Sequence, residues 1–296
     1  MLGALLRPSV STPGGERRSL GWRSVTEEPT LAPTGPLVDQ GVFAEHLERS
    51  EAVRWLILAI SGFVVGEIVS TVTVLVTANL TGNSAELSSI IRSSSPPEWY
   101  VISGLVGLWV GFLGAPFVAI RWGGPLRRHL GVSFRPLDLL GVVAGIGLQL
   151  VVGLLYAPFR SHLRHFDAPI TKLTGSSHGG GYFAIIVLTV FFAPAAEEIF
   201  FRGLLLRSLV GLFTTARGAV TRRWGLAIAV LLDGLLFGLS HGEMAQLPGL
   251  ALVGVVLSLL FLRTGRLGTS MVTHMSFNAV AVASYASSSG LILWLH

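Results

Sequence analysis

Residues 182–206 have the sequence YFAIIVLTVFFAPAAEEIFFRGLLL. This stretch is long enough to cross a bilayer, because a membrane helix needs about 20 mostly apolar residues. It nevertheless contains three charged residues, Glu197, Glu198 and Arg202. Charged side chains inside the hydrocarbon are costly, and they usually face a cavity and serve function. The stretch therefore predicts a membrane helix that carries chemistry.

Apolar stretches recur along most of the chain. It has 296 residues, of which 51% are hydrophobic and 12% charged, with a mean hydropathy of +0.68. Soluble domains contain about 25% charged residues. The length rule predicts six further spans, at residues 55–80, 99–120, 137–159, 224–240, 250–262 and 267–285. The sequence thus predicts an all-α, polytopic membrane bundle of about seven to eight transmembrane helices.

The polar N-terminal region and the arginines predict the topology. Residues 1–50 are rich in Pro, Gly, Ser and charges, which predicts a disordered cytoplasmic tail before a transmembrane domain at 51–296. Arginines cluster after alternate spans, at 121–135, 207–223 and 263–266. Because cytoplasmic loops keep an excess of Lys and Arg, the N-terminus is predicted to be cytoplasmic. This arginine-rich, cysteine-free composition favours the plasma membrane of a bacterium.

The composition also excludes several classes of function. The chain has no cysteine, so a disulfide framework, a thiol nucleophile and a Cys-ligated zinc are all excluded. Lys172 is the only lysine, and no soluble face combines basic residues with aromatic ones, so we expect no nucleic-acid partner.

Glu198 and Arg202 lie four residues apart and so share a helix face, which predicts that they pair and fix the helix as part of the site. Glu197 points about 100° away and lacks that partner. A desolvated carboxylate beside another one binds protons more tightly than usual, as a general base near neutral pH requires. Pro194 predicts a kink just before the three residues. The alternative is that all three form an ion cluster that only packs helices.

Two later spans carry further candidates. His241 ends the sequence FGLSH, although a lone histidine at a helix terminus is more often an interfacial or capping residue. His274 and Asn278 share a helix face and can both donate to one oxyanion. Equally, such a pair can bond neighbouring membrane helices. For Glu67 and Asp233 we predict a packing or gating role.

The patterns E-E-x-x-x-R, F-x-x-x-H and H-x-x-x-N follow one another within residues 194–282. Together they resemble the CPBP (CAAX protease and bacteriocin-processing) family of intramembrane proteases, which includes the type II CAAX prenyl endopeptidases. The resemblance implies a helical fold with a site sunk into the bilayer. It implies that Glu197 and His241 activate water, and that His274 and Asn278 hold the oxyanion.

The sequence hypothesis is therefore an intramembrane endopeptidase acting on a membrane-embedded or membrane-proximal protein or peptide. A zinc-dependent version is the close alternative, with Glu197, His241 and His274 as ligands. We favour the metal-free, cofactor-free version because H-E-x-x-H is absent and Asn278 suits an oxyanion site better than a zinc shell. A non-enzymatic immunity factor or a proton-coupled transporter stays open as well.

Overall fold

Helices account for all regular structure in the part of the chain that can be described. The computed structural model describes residues 48–93, 95–123, 130–159, 179–214 and 219–288. All of them belong to one compact unit, Pro36–His296. The prediction of an all-helical fold is confirmed for these ranges. Residues 1–47 of the predicted tail lie outside the described residues. The disorder of the tail therefore stays a prediction.

Eight helices follow one another in the described ranges. They are α1 (Arg49–Leu80), the short α2 (Leu87–Arg92), α3 (Glu98–Gly123), α4 (Gly141–Tyr156, flanked by the 3₁₀ turns Pro136–Leu140 and Ala157–Phe159), α5 (Gly179–Phe213), α6 (Ala219–Leu239), α7 (Leu247–Thr264) and α8 (Leu267–Ser288). Each of the seven long helices overlaps one of the seven predicted spans.

Five of the helices are long and apolar enough to cross a membrane: α1, α3, α4 with its flanking turns, α5 and α7. Large apolar side chains such as Phe117, Val143 and Leu154 lie on the outside. A soluble protein rarely exposes so much contiguous apolar surface, whereas lipid is a suitable solvent for it. α6 and α8 have 21 and 22 residues but are not among the five. Five spans are therefore supported, and the count of seven to eight stays a prediction.

Glycines bring α1 and α3 into direct backbone contact. Gly111 on α3 faces Gly62 and Gly66 on α1, and Gly107 on α3 faces Ser70 and Thr73. Gly62 with Gly66, and Gly107 with Gly111, have G-x-x-x-G spacing. A Cβ added at Gly111 would lie 2.0 Å from the carbonyl oxygen of Gly62. Small residues at this spacing are typical of close helix packing in membranes, where van der Waals contact drives association.

α4 and α8 form a second tightly packed pair. A Cβ at Gly145 of α4 would lie 2.3 Å from the carbonyl oxygen of Thr273 on α8. At the beginning of α4, the buried Asp138 carboxylate accepts hydrogen bonds from Arg266 Nη2 at 2.8 Å and Thr269 Oγ1 at 2.5 Å. These contacts fix the position of α8 relative to α4. Two of the predicted site residues lie on α8.

A row of aromatic rings crosses the centre of the bundle. The ring of Phe112 on α3 stacks on Phe200 of α5 with centroids 4.4 Å apart. Phe201 then meets Phe200 at 5.1 Å and Phe237 of α6 at 5.3 Å, both edge to face. Edge-to-face and stacked pairs contribute beyond their burial. The row of rings therefore holds α3, α5 and α6 together around the segment with the two glutamates.

Candidate active site

The segment with the two glutamates lies between two irregular turns of α5. The π-helical turns Leu188–Phe192 and Ile199–Leu205 flank the α-helical stretch Ala193–Glu198. Pro194 lies at the beginning of this stretch, directly after the first π turn. A π turn is one of the recognised causes of helix distortion and occurs often at functional sites. The kink predicted at Pro194 stays a prediction, and π turns, which were not predicted, lie on both sides of the glutamates.

Arg202 joins three helices. Its Nη1 donates to Glu198 Oε1 at 2.9 Å, so the predicted pair is confirmed. Its Nη2 donates to the carbonyl oxygen of Gly254 on α7 at 2.9 Å, and its Nε lies 3.5 Å from Asp233 Oδ2 on α6. All three charged side chains are fully buried. A buried charge is tolerable only when it is paired and hydrogen-bonded, and here the guanidinium serves two carboxylates.

Asp233 belongs to this charge network more directly than the sequence indicated. Its Oδ2 also accepts a hydrogen bond from Ser258 Oγ at 2.7 Å. The ring of Phe237 lies 4.6 Å from the guanidinium carbon of Arg202 and adds a cation–π contact. The sequence marks Asp233 as an acidic residue in a membrane helix, but nothing in it marks Ser258. Glu67 lies exposed on α1 and takes no part in the network.

His274 lies between the two glutamates. Its Nδ1 is 3.2 Å from Glu198 Oε1, and its Nε2 is 3.7 Å from Glu197 Oε2. An ionised carboxylate only accepts hydrogen bonds, so Nδ1 carries a proton that it donates to Glu198. The side chain of Glu197 is 17% exposed, whereas that of Glu198 is 0% exposed. Glu197 is thus the carboxylate that a water or a substrate can reach.

Asn278 lies one helical turn beyond His274 and points toward α5. Its Nδ2 donates to the carbonyl oxygen of Thr189 at 2.9 Å, within the first π turn. The carboxamide has a second N–H, so it can donate one more hydrogen bond. Nothing in the sequence marks Thr189 as its partner.

His241 approaches the site through Phe237. Its Nδ1 lies 2.8 Å from the carbonyl oxygen of Phe237, which requires the proton on Nδ1 and leaves Nε2 as an acceptor in the neutral ring. The Phe237 ring contacts both imidazoles, at 4.9 Å from His241 and 5.4 Å from His274. Within the described part of the chain, no hydrogen bond or ion pair joins His241 to Glu197.

The zinc alternative can be examined on the same geometry. Among the residues that the structure describes, no three His, Asp or Glu side chains form a group that could hold a metal ion. Glu197, His241 and His274 as placed therefore do not fit the expected zinc site, which needs three protein ligands around one point.

Comparison with known proteins agrees with the motifs. Residues 179–280 match the family model described as type II CAAX prenyl endopeptidase Rce1-like. No curated protein and no solved structure matches the chain. The matched range contains Glu197, His241, His274 and Asn278, and it supports a peptidase that works in a membrane. The similarity to the type II CAAX prenyl endopeptidase Rce1-like family therefore covers residues 179–280, about a third of the chain.

Proposed function

We propose that this protein is an intramembrane endopeptidase that hydrolyses peptide bonds with an activated water. The observation that supports the proposal most is the imidazole of His274 between the carboxylates of Glu197 and Glu198. Ionisable groups at this depth cost from about 2.5 to above 10 kcal/mol by different measures, so their grouping in a bundle core calls for a function. The family model that matches residues 179–280 is described as an endopeptidase, which supports the reaction class.

Glu197 acts as the general base. It is the more accessible glutamate, and its carboxylate takes a proton from water while the water oxygen attacks the substrate carbonyl carbon. His241 positions the water through Nε2, the ring atom that its bond to Phe237 leaves as an acceptor. The proton on Glu197 then passes to the leaving amine as the C–N bond breaks.

His274 and Asn278 stabilise the negative oxygen of the tetrahedral intermediate. In its doubly protonated form, the imidazole donates from Nδ1 to Glu198 and from Nε2 to the oxyanion. Asn278 adds its second N–H, and its bond to Thr189 fixes the direction of the carboxamide. Donors that are already oriented need no reorganisation during the reaction, which is the basis of oxyanion stabilisation.

Glu198 and Arg202 orient the site without touching the substrate. Arg202 neutralises Glu198, and Glu198 fixes the ring of His274. A carboxylate that accepts the Nδ1–H of a catalytic histidine sets both its tautomer and its orientation. The proposed mechanism uses no metal ion. Among the described residues, Glu197, His241 and His274 are not grouped as metal ligands, and Asn278 suits an oxyanion site.

The substrate of this reaction is a membrane-embedded or membrane-proximal protein or peptide, and lipid surrounds the enzyme. The location we propose is the plasma membrane of a bacterium, with the N-terminus in the cytoplasm. The arginines of the described helix ends support this orientation, since Arg121, Arg222, Arg263 and Arg266 all belong to the predicted cytoplasmic side.

Replacing Glu197 by Gln tests the proposal. The purified protein is incubated with quenched fluorescent peptides, both apolar and farnesylated at a C-terminal Cys-aliphatic-aliphatic-X sequence. We expect Glu197→Gln to reduce turnover by about a hundredfold or more, because the general base is lost. Its melting temperature should stay near that of the wild type.

Glu67→Gln is the matched control, since Glu67 is also an intramembrane glutamate but lies exposed on α1. It should keep full activity. Equal turnover of Glu197→Gln and wild type would contradict the assignment of the base. A wild-type protein that cleaves none of the peptides, while Glu197→Gln retains the cellular phenotype, would favour a non-enzymatic immunity factor or transporter.

A further inference from the structure

A line of polar side chains continues from the proposed site along the contact between α5 and α8. The two helices run antiparallel here, because Glu197 meets His274 and Thr189 meets Asn278. Seven residues further along each helix, about two turns, the same antiparallel register places Tyr182 of α5 opposite Tyr285 of α8. We call the line formed by Tyr182, Thr189, Asn278 and Tyr285 the α5–α8 seam.

Several polar atoms along the seam are buried without a protein partner. Among the described residues, none hydrogen-bonds to Tyr182 Oη or Thr189 Oγ1. Gln149 Oε1 shares this property, and it lies one turn beyond Gly145 of α4, which packs against α8 beside Asn278. A buried polar atom left unpaired costs about 1–3 kcal/mol. Grouped polar atoms of this kind are what a buried water requires, since each water needs two to four partners.

Among the described residues, α8 packs less closely on α5 toward the Gly179 end than near the proposed site. α8 packs against residues 188–198 of α5, whereas its contacts with residues 179–187 are at most slight. α4 packs along α8, but within the described ranges its contacts with α5 are also at most slight. By helical rise, Glu197 lies about 27 Å from Gly179, with Thr189 near the midpoint. The polar atoms therefore span the distance between the beginning of α5 and the site.

We propose that the α5–α8 seam is a hydrated path that supplies water to Glu197 from the membrane surface at the Gly179 end of α5. Hydrolysis consumes one water per bond, and the outer surface of the described helices carries many exposed apolar side chains, which water hydrates poorly. The use of that water rests on the proposed peptidase function. The hydration itself does not, because polar side chains along a seam attract water whether or not a reaction follows.

Thiol labelling tests the hydration directly, and the absence of native cysteine makes each introduced thiol unique. Thr189→Cys and Tyr182→Cys are reconstituted in lipid nanodiscs and treated with a charged, water-soluble methanethiosulfonate, which reacts with the thiolate that forms in water. Phe191→Cys is the control for depth, because Phe191 lies near Thr189 on the same helix but is 52% exposed on the outer surface. Ile185→Cys is the control for burial, since Ile185 is 0% exposed.

We expect Thr189→Cys and Tyr182→Cys to react about tenfold or more faster than both controls, because the reacting thiolate needs water. Reaction of Thr189→Cys no faster than Phe191→Cys, in protein that melts as the wild type does, would overturn the proposal. Reaction at Tyr182 alone would overturn it too, because the path would end short of Glu197. If Thr189→Cys cannot be folded, Asn278→Cys replaces it as the deep reporter. If the thiols are labelled as expected but the Glu197→Gln variant keeps its peptidase activity, the hydrated path is supported and the proposed peptidase mechanism is refuted.

Discussion

The buried ionisable side chains form a single line of contacts. It runs from Asp233 to Arg202, Glu198, His274 and Glu197, with no step longer than 3.7 Å. Arg202 is central because it serves both Asp233 and Glu198. Arg202 and Glu197 therefore differ in their proposed tasks: Arg202, inside the line, maintains it, and Glu197, at the accessible end, is the proposed general base.

Comparing Arg202→Ala with Asn278→Ala separates these tasks. Arg202→Ala leaves two buried carboxylates without their cation, which costs about 3–5 kcal/mol when one partner of a buried pair is removed. Asn278→Ala removes one oxyanion donor and should reduce turnover by about a hundredfold or more. Thermal unfolding should therefore show a much larger drop in melting temperature for Arg202→Ala, and peptide turnover should show the specific loss for Asn278→Ala.

Arg202→Lys is the control for charge. It keeps the cation but loses the planar fork that reaches Glu198, Asp233 and the Gly254 carbonyl together, so its stability should fall between wild type and Arg202→Ala. A larger melting-temperature loss for Asn278→Ala than for Arg202→Ala would contradict the structural role of Arg202.

The sequence predicts contacts within one helix better than contacts between helices. The pairing of Glu198 with Arg202 follows from a spacing of four. The roles of Asp233 and Thr189 do not follow, because their partners are contributed by other helices. Their contacts depend on how the helices pack, and spacing along the chain does not encode that.

At the scale of elements, α4 and α8 act as a unit that delivers His274 and Asn278 to α5. Glycine contacts and the Asp138 hydrogen bonds set the position of α8 along α4. The position of both proposed oxyanion donors therefore depends on a contact surface that contains no proposed site residue.

Gly145→Ala should reduce activity by displacing this unit. Its added methyl would lie 2.3 Å from the Thr273 carbonyl oxygen, one residue before His274, so the helices must separate. A displacement of about 1 Å far from the chemistry can cost about a hundredfold in rate. We expect a comparable loss of turnover, measured with the same peptides, together with a lower melting temperature.

Gly147→Ala on the same helix is the matched control. A Cβ there meets no atom within 4 Å, so activity should be unchanged and stability equal or slightly higher. Equal activities of the two variants would show that the α4–α8 distance does not govern the site.

Helix positions were predicted well, and helix irregularities were not. Apolar stretches overlap all seven long helices, and five of these helices are long and apolar enough to cross a membrane. The two π turns of α5 leave no trace in hydrophobicity, since one extra residue in a turn changes the direction of side chains without changing composition. They are nevertheless what surrounds Glu197 and Glu198.

The site draws on four helices, α5 to α8, between residues 197 and 278. Binding of a metal ion would need ligands from several of these helices at once. We expect the purified protein to retain peptide hydrolysis after exhaustive chelation and to contain less than stoichiometric zinc by elemental analysis. The reason is that Glu197, His241 and His274 are not grouped as metal ligands. About one zinc per chain, lost in step with activity on replacing His274, would instead favour metal-activated water.

Removing residues 1–40 should leave melting temperature and peptide turnover nearly unchanged. This region has a polar, Pro- and Gly-rich composition that offers little apolar surface for packing on a membrane domain. The comparison is made between full-length and truncated protein at equal concentration in the same lipid. Loss of folded protein on truncation would contradict the prediction.

The ionisable residues Asp233 in α6 and His274 in α8 have a consequence for biogenesis. Asp233 within α6 opposes insertion by about 2.5–3.5 kcal/mol, as an aspartate at the centre of a membrane helix does on the translocon scale. Arg202 is synthesised before α6, so the cation that compensates Asp233 is already present when α6 emerges from the ribosome. His274 follows only with α8, the last described helix to be made. The contact with Arg202 therefore offsets part of the cost of inserting α6, and His274 joins the ion network only after α8 has been made.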